Sequence, residues 1–134
     1  MRTIKFRGKR VDNGEWVFGD YHRRAGNVHT IIAMEPNEDG KVIYALNQVI
    51  PDSVGQFTGL TDKNGKEIYE GDIVANDFGN AYIVNMAVEW CTDGYWALHE
   101  IDGDDTMHFV ADYLNEIEVI GNIHDNPELL KPNE

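Results

Sequence analysis

Residues Gln56 to Val74 read Q-F-T-G-L-T-D-K-N-G-K-E-I-Y-E-G-D-I-V, and their turn residues constrain the fold more than any other stretch. Asn64-Gly65 lies between the apolar residues Phe57 and Ile68. In that setting Asn-Gly favours positive φ at both central positions of a two-residue hairpin turn. Gly71-Asp72 breaks the chain again just before the β-branched pair Ile73-Val74 opens a new strand. Glycine there accepts a backbone geometry that a Cβ forbids, and the aspartate can hold nearby backbone N–H groups. Glu70 and Asp72 accordingly read as solvated turn residues.

The same punctuation runs along the whole chain. Ile4 and Phe6 alternate with Lys5 and Arg7, the period of a half-buried strand. Asp12-Asn13-Gly14-Glu15 predicts a tight turn, with Trp16 and Phe18 alternating on the return strand. Val28 to Met34 and Val42 to Leu46 form a second pair around the polar loop 35–40. Past Val74, a turn is expected at 76–80. The longest strand, Ala81 to Trp90, then places Tyr82, Val84, Met86, Val88 and Trp90 on one face. Asp93-Gly94 turns the chain into 95–100, the acidic turn 102–105 precedes Met107 to Val110, and Ala111 to Glu118 is left open between helix and loop. A last strand is expected over Val119 to Ile123, stopped by Asn126-Pro127. Many short strands at close spacing argue for a mainly β sandwich or barrel with little helix, rather than βαβ units.

Three segments carry a family resemblance: I-K-F-R-G-K-R at the start, Gln56 to Val74 in the middle, and E-V-I-G-N-I-H-D-N-P-E-L-L at the end. Together they resemble the YopX family of phage and prophage proteins. The resemblance implies an SH3-like β-barrel and no particular reaction, the family having no established activity. It makes residues 1–134 a single YopX-like domain, with the barrel core at about 50–125 and β-hairpins over 1–50.

The charge is segregated. The net charge is −13; residues 1–24 hold seven basic and three acidic residues, 7 − 3 = +4, leaving −13 − 4 = −17 for the rest. An acidic body repels phosphate, so direct nucleic-acid binding is disfavoured. A basic arm on an acidic body does suit docking on an acidic protein surface, or a head-to-tail homo-oligomer. No apolar stretch is long enough for a membrane helix. A single cysteine, Cys91, excludes an intramolecular disulfide, and the expected location is the cytoplasm of a bacterial host.

Candidate chemistry is thin. His99, Asp102, Asp104, Asp105 and His108 offer five metal ligands in ten residues. Counting a calcium loop from Asp102 puts Met107 and Tyr113 where Gly and Glu are needed, and zinc lacks a third soft ligand. No nucleophile elbow, phosphate loop or zincin motif is present, and no local signature activates Cys91. The expectation is a non-enzymatic protein without metal or cofactor. It would be an interaction module that binds a host or phage protein. An acidic DNA mimic directed at a host nuclease or DNA-binding protein is the alternative, and an enzyme built on the His99/Asp102/His108 region comes third. Trp16, Phe18, Tyr21, Tyr82, Trp90, Tyr95 and Trp96 are enough aromatics for a core and an exposed patch.

Overall fold

The computed structural model describes residues 2–76, 84–101, 103, 106–108 and 115–130. The expected turn at 76–80, Tyr82, Asp102, Asp104, Asp105 and residues 111–114 therefore lie largely or wholly outside the described residues, while 115–118 form a turn and the start of the last strand. Eleven strands are described in chain order. They are β1 (Phe6–Lys9), β2 (Trp16–Arg24), β3 (Val28–Pro36), β4 (Val42–Gln48), β5 (Gly55–Thr61), β6 (Glu67–Tyr69), β7 (Asp72–Asn76), β8 (Val84–Cys91), β9 (Tyr95–Glu100), β10 (Thr106–His108) and β11 (Ile117–Asn122). Short 3-10 turns cover Pro51–Ser53 and Pro127–Leu130. Among the described residues no helix is long and apolar enough to cross a membrane.

One sheet has the order β4-β3-β2-β1-β5-β6 and the other β10-β9-β8-β7-β11, and every described pairing is antiparallel. This corrects the expected barrel: among the described residues the two sheets are open and no closing pair joins the ends of either. Closure requires the end strands to pair, and two of these ends, β6 and β10, are only three residues long. The sequence divides into two compact units, Met1–Phe57 and Thr58–Glu134.

In the first unit Val17, Ile31, Ala33 and Val49 form a small core, with Phe6, Tyr21 and Val54 packed against it. Ser53 ties β1 to the 3-10 turn, accepting from the Lys9 amide and donating to the Ile50 carbonyl. Gly19 is required by a close approach: a Cβ there would stand 2.1 Å from the Ile32 carbonyl oxygen.

The second unit buries a larger set: Ile68, Val74, Met86, Val88, Leu98 and Ile117, joined by Leu60, Val84, Trp96 and Val119. The expected period-2 face of β8 is present in its described part, with Met86 and Val88 buried and Trp90 half exposed. Burying each such side chain contributes about 1.5–3 kcal/mol. The corner before β7 has the geometry expected of Gly71, which sits at φ 90° and donates to the Val88 carbonyl. Asp72 departs from expectation. It is buried, and its carboxylate accepts from the Tyr69 amide behind it at 2.7 Å. A free carboxylate would cost too much at that depth, so it is held by hydrogen bonds.

Candidate functional site

The Asn64-Gly65 hairpin is wider than the sequence suggests. Asp62 N–H donates to the Lys66 carbonyl at 2.8 Å, and Gly65 N–H donates to the Asp62 carbonyl at 3.0 Å. Gly65 alone takes positive φ, 81°, since Asn27 is the only non-glycine in that region among the described residues. The connection is a type I turn followed by a left-handed glycine. Asp62 explains the preference. Its Oδ1 accepts from the amides of Asn64 and Lys66, both at 2.9 Å, and its Oδ2 accepts from the Val119 amide at 3.0 Å. Burial disfavours the charged carboxylate, but the three amide bonds together outweigh it and lower the Asp62 pKa.

The same turn recurs in the first unit. Asn37 N–H donates to the Lys41 carbonyl, Gly40 N–H to the Asn37 carbonyl, and Asn37 Oδ1 accepts from the amides of Asp39 and Lys41. This turn joins β3 to β4, and both strands present apolar side chains outward. The register sets Met34 opposite Tyr44, Ile32 opposite Leu46 and Pro36 opposite Val42, all on one face. Tyr44 is 73% exposed, Met34 66%, Val42 65% and Leu46 58%. Asp20 on β2 and the turn residues Glu38, Asp39 and Lys41 border this face, and all are exposed. At its end an open pocket of about 260 Å³ is lined by Arg10, Val11, Asp12, Leu46, Asn47 and Gln48. Arg10 grips Asp12 through two hydrogen bonds, which raises the guanidinium pKa and lowers that of the carboxyl.

The basic arm is ordered on aromatic rings. Lys5 lies over Phe57, while Arg7 and Lys9 lie over Trp16, with Arg7 4.6 Å from the ring centroid. Alternation in the sequence puts Arg7 outward, yet it is buried. A guanidinium tolerates that setting because the ring face attracts it. Phe18, which alternates with Trp16 on β2 as expected, is 48% exposed, and Val17 between them is buried.

Of the acidic and histidine cluster, the structure describes His99 and the backbone of His108, which lie diagonally across β9 and β10. His99 stands opposite Thr106 on β10, its Nδ1 2.7 Å from the threonine hydroxyl, while His108 stands opposite Ala97. The two histidines are therefore not cross-strand partners. Among the described residues no three His, Cys, Asp or Glu side chains gather as a metal site. Cys91 is half-buried at the end of β8, opposite Tyr95. Its thiol hydrogen-bonds the Tyr95 phenol, and that bond raises the phenol's pKa. Trp90 and Trp96 meet edge to face at 4.9 Å. The Tyr21 hydroxyl lies 2.5 Å from His29 Nδ1, and His29 Nε2 lies 3.1 Å from the acceptor Asn27 Oδ1. Sequence reasoning did not find the outer face of β3 and β4. An available signal was the uncharged run 42–51, in which Val42, Tyr44 and Leu46 alternate without any polar counterpart.

A family model described as YopX protein matches residues 5–131. A crystal structure of protein EF1440 from Enterococcus faecalis is similar in fold. Its TM-score is 0.62 at 23% identity, over 98% of this chain and 100% of that one. No curated protein matches.

Proposed function

The chain belongs to the YopX family, and on that basis we propose that it is a non-enzymatic interaction module, of phage or prophage origin, that binds a host or phage protein in the bacterial cytoplasm. The observation that carries this reading is the outer face of β3 and β4, where Met34, Val42, Tyr44 and Leu46 are each more than half exposed inside a charged border. Apolar centres with charged rims are the anatomy of protein interfaces, and contiguous exposed apolar surface marks a contact site.

Affinity purification of the tagged chain from infected bacteria tests it. The wild type is expected to retain a partner that the Met34→Ser/Leu46→Ser variant loses, with the fold unchanged by circular dichroism. Identical capture by both would overturn the assignment of the face. The acidic DNA mimic remains the competing reading, supported by the −17 charge of residues 25–134. It requires capture that weakens steeply with salt and is displaced by duplex DNA.

A further inference from the structure

Asn13 and Asn64 are the two asparagines followed by glycine, and each sits exposed in a hairpin turn, the first joining β1 to β2 and the second β5 to β6. Asparagine before glycine is the pair most prone to lose its side-chain ammonia. A residue without Cβ leaves its backbone nitrogen open to attack the neighbouring amide carbon. The two turns hold that nitrogen alike. Gly14 N–H donates to the Arg10 carbonyl at 2.9 Å, and Gly65 N–H to the Asp62 carbonyl at 3.0 Å. A Cβ at either glycine would meet nothing within 4 Å beyond its chain neighbours. The cost of freeing the nitrogen is therefore shared, and the sites differ in the amide that it must reach. At Asn13, Oδ1 accepts from the Glu15 amide at 2.9 Å, which folds the side chain back over the intervening Gly14 nitrogen. At Asn64 the equivalent amide, that of Lys66, is taken at 2.9 Å by Asp62 Oδ1. Asn64 instead turns its amide nitrogen to Glu118 on β11, 3.4 Å away.

We propose that Asn13 is a site of spontaneous deamidation, and that the fold sets it apart from Asn64. The Gly14 nitrogen loses its proton to hydroxide and attacks Asn13 Cγ, so that a C–N bond forms and the C=O electron pair moves onto Oδ1. The Glu15 N–H already points at that oxygen, and a fixed donor aimed at developing negative charge stabilises the transition state. The same bond holds the amide carbon near its nucleophile, which a freely rotating side chain does not. The oxyanion then collapses, Nδ2 takes a proton from water and leaves as ammonia, and a succinimide remains. Water opens the ring at either carbonyl, giving aspartate or isoaspartate. The net exchange is one ammonia for one water, and nothing is oxidised or reduced. At Asn64 the corresponding donor is occupied, so its amide gains neither effect. The product changes the β1–β2 turn. The new carboxylate stands between Asp12, which Arg10 grips at 2.7 Å, and Glu15, whose Oε2 faced the lost amide nitrogen at 3.4 Å. A hydrogen bond there becomes a like-charge contact, and isoaspartate also adds a backbone atom to the turn.

The test is to incubate the intact purified chain in heavy-oxygen water at mildly alkaline pH and to map its peptides by mass spectrometry over time. Heavy oxygen marks each conversion, and the Asn13→Asp variant identifies the aspartate product. In the folded chain Asn13 is expected to convert about tenfold faster than Asn64, the effect of one ordinary hydrogen bond on a barrier. In the chain unfolded by denaturant, where both are plain Asn-Gly pairs, the two rates are expected to come together. Equal rates in the folded chain would overturn the proposal, as would faster loss of Asn64. A difference that persists unchanged after unfolding would also overturn it, since sequence neighbours rather than the turn would then be its cause. As a second variant, Gly14→Ala crowds the attacking nitrogen and is expected to slow conversion of Asn13 while leaving Asn64 unchanged. Conversion of Asn13 indifferent to that substitution would contradict attack by the Gly14 nitrogen.

Discussion

The turns at Asn37–Lys41 and Asp62–Lys66 share their backbone bonds, yet one begins with an amide and the other with a carboxylate. Asn37 needs one acceptor oxygen, for the amides of Asp39 and Lys41. Asp62 needs two, because Oδ1 makes the equivalent bonds and Oδ2 takes the Val119 amide from β11. An asparagine offers a single carbonyl oxygen, so only a carboxylate can bind the turn and β11 together. The difference extends to the units that carry the turns. In the second unit the turn is fastened to a strand remote in sequence, and Val74, Met86, Val88 and Leu98 of β7, β8 and β9 are buried. In the first unit the turn leads into β4, whose apolar side chains face outward. Among the described residues, the second unit holds the larger buried core and the first carries the row of four large apolar side chains more than half exposed.

The largest expected effect probes how closely the first unit's strands approach. Gly19→Ala should cost about 3 kcal/mol, because the new Cβ must push the Ile32 carbonyl away. A denaturation midpoint equal to wild type would show that β2 and β3 part easily.

Asp62→Asn follows, at about 2 kcal/mol, since the Val119 amide loses a charged acceptor. Asn37→Asp should fall within about 0.5 kcal/mol of wild type. Equal effects at both turns would break the comparison. The pH dependence has a definite sign. The folded Asp62 pKa lies below its unfolded value of about 4, so its contribution is complete above that value. It is lost as pH falls through the folded pKa. Asp62→Asn should therefore flatten the acid side of the stability curve, as thermal melts between about pH 2 and 6 would show.

Glycine tests what the two turns have in common. Gly40→Ala and Gly65→Ala should each cost about 1 kcal/mol, because both glycines sit near φ 80° with open space around them. A cost at Gly65 without one at Gly40 would mean that the first turn can adopt another form.

Strand positions and turn glycines were legible in the sequence because period-2 alternation and glycine carry local physics. The face of β8 set by Met86 and Val88 and the corner at Gly71 both follow from such signals. What could not be read depends on distant partners. Asn64-Gly65 suggests a two-residue turn, but Asp62, held by a strand some 57 residues away, selects the wider one. Arg7 looks like an outward residue until Trp16 supplies a ring beneath it. Barrel closure depends on whether end strands meet, and no alternation pattern encodes that. The outer face of β3 and β4 went unread for a related reason: alternation marks which residues share a face, and only the folded sheet shows which face is covered.

The smallest expected effect on stability belongs to Tyr44→Lys, within about 0.5 kcal/mol, because the side chain is exposed. Its consequence should instead appear in binding, which separates the surface role of the first unit from its folding.

The central claim is that the first unit meets its partner through the outer face of β3 and β4, away from the buried core of the second. Residue-resolved hydrogen exchange, with the chain free and bound to the partner that it captures, tests it most directly. The expected result is that the amides of Val42, Tyr44 and Leu46 slow by at least tenfold on binding while those of β7, β8 and β9 exchange as before. Unchanged β4 amides, or slowing confined to the second unit, would contradict it.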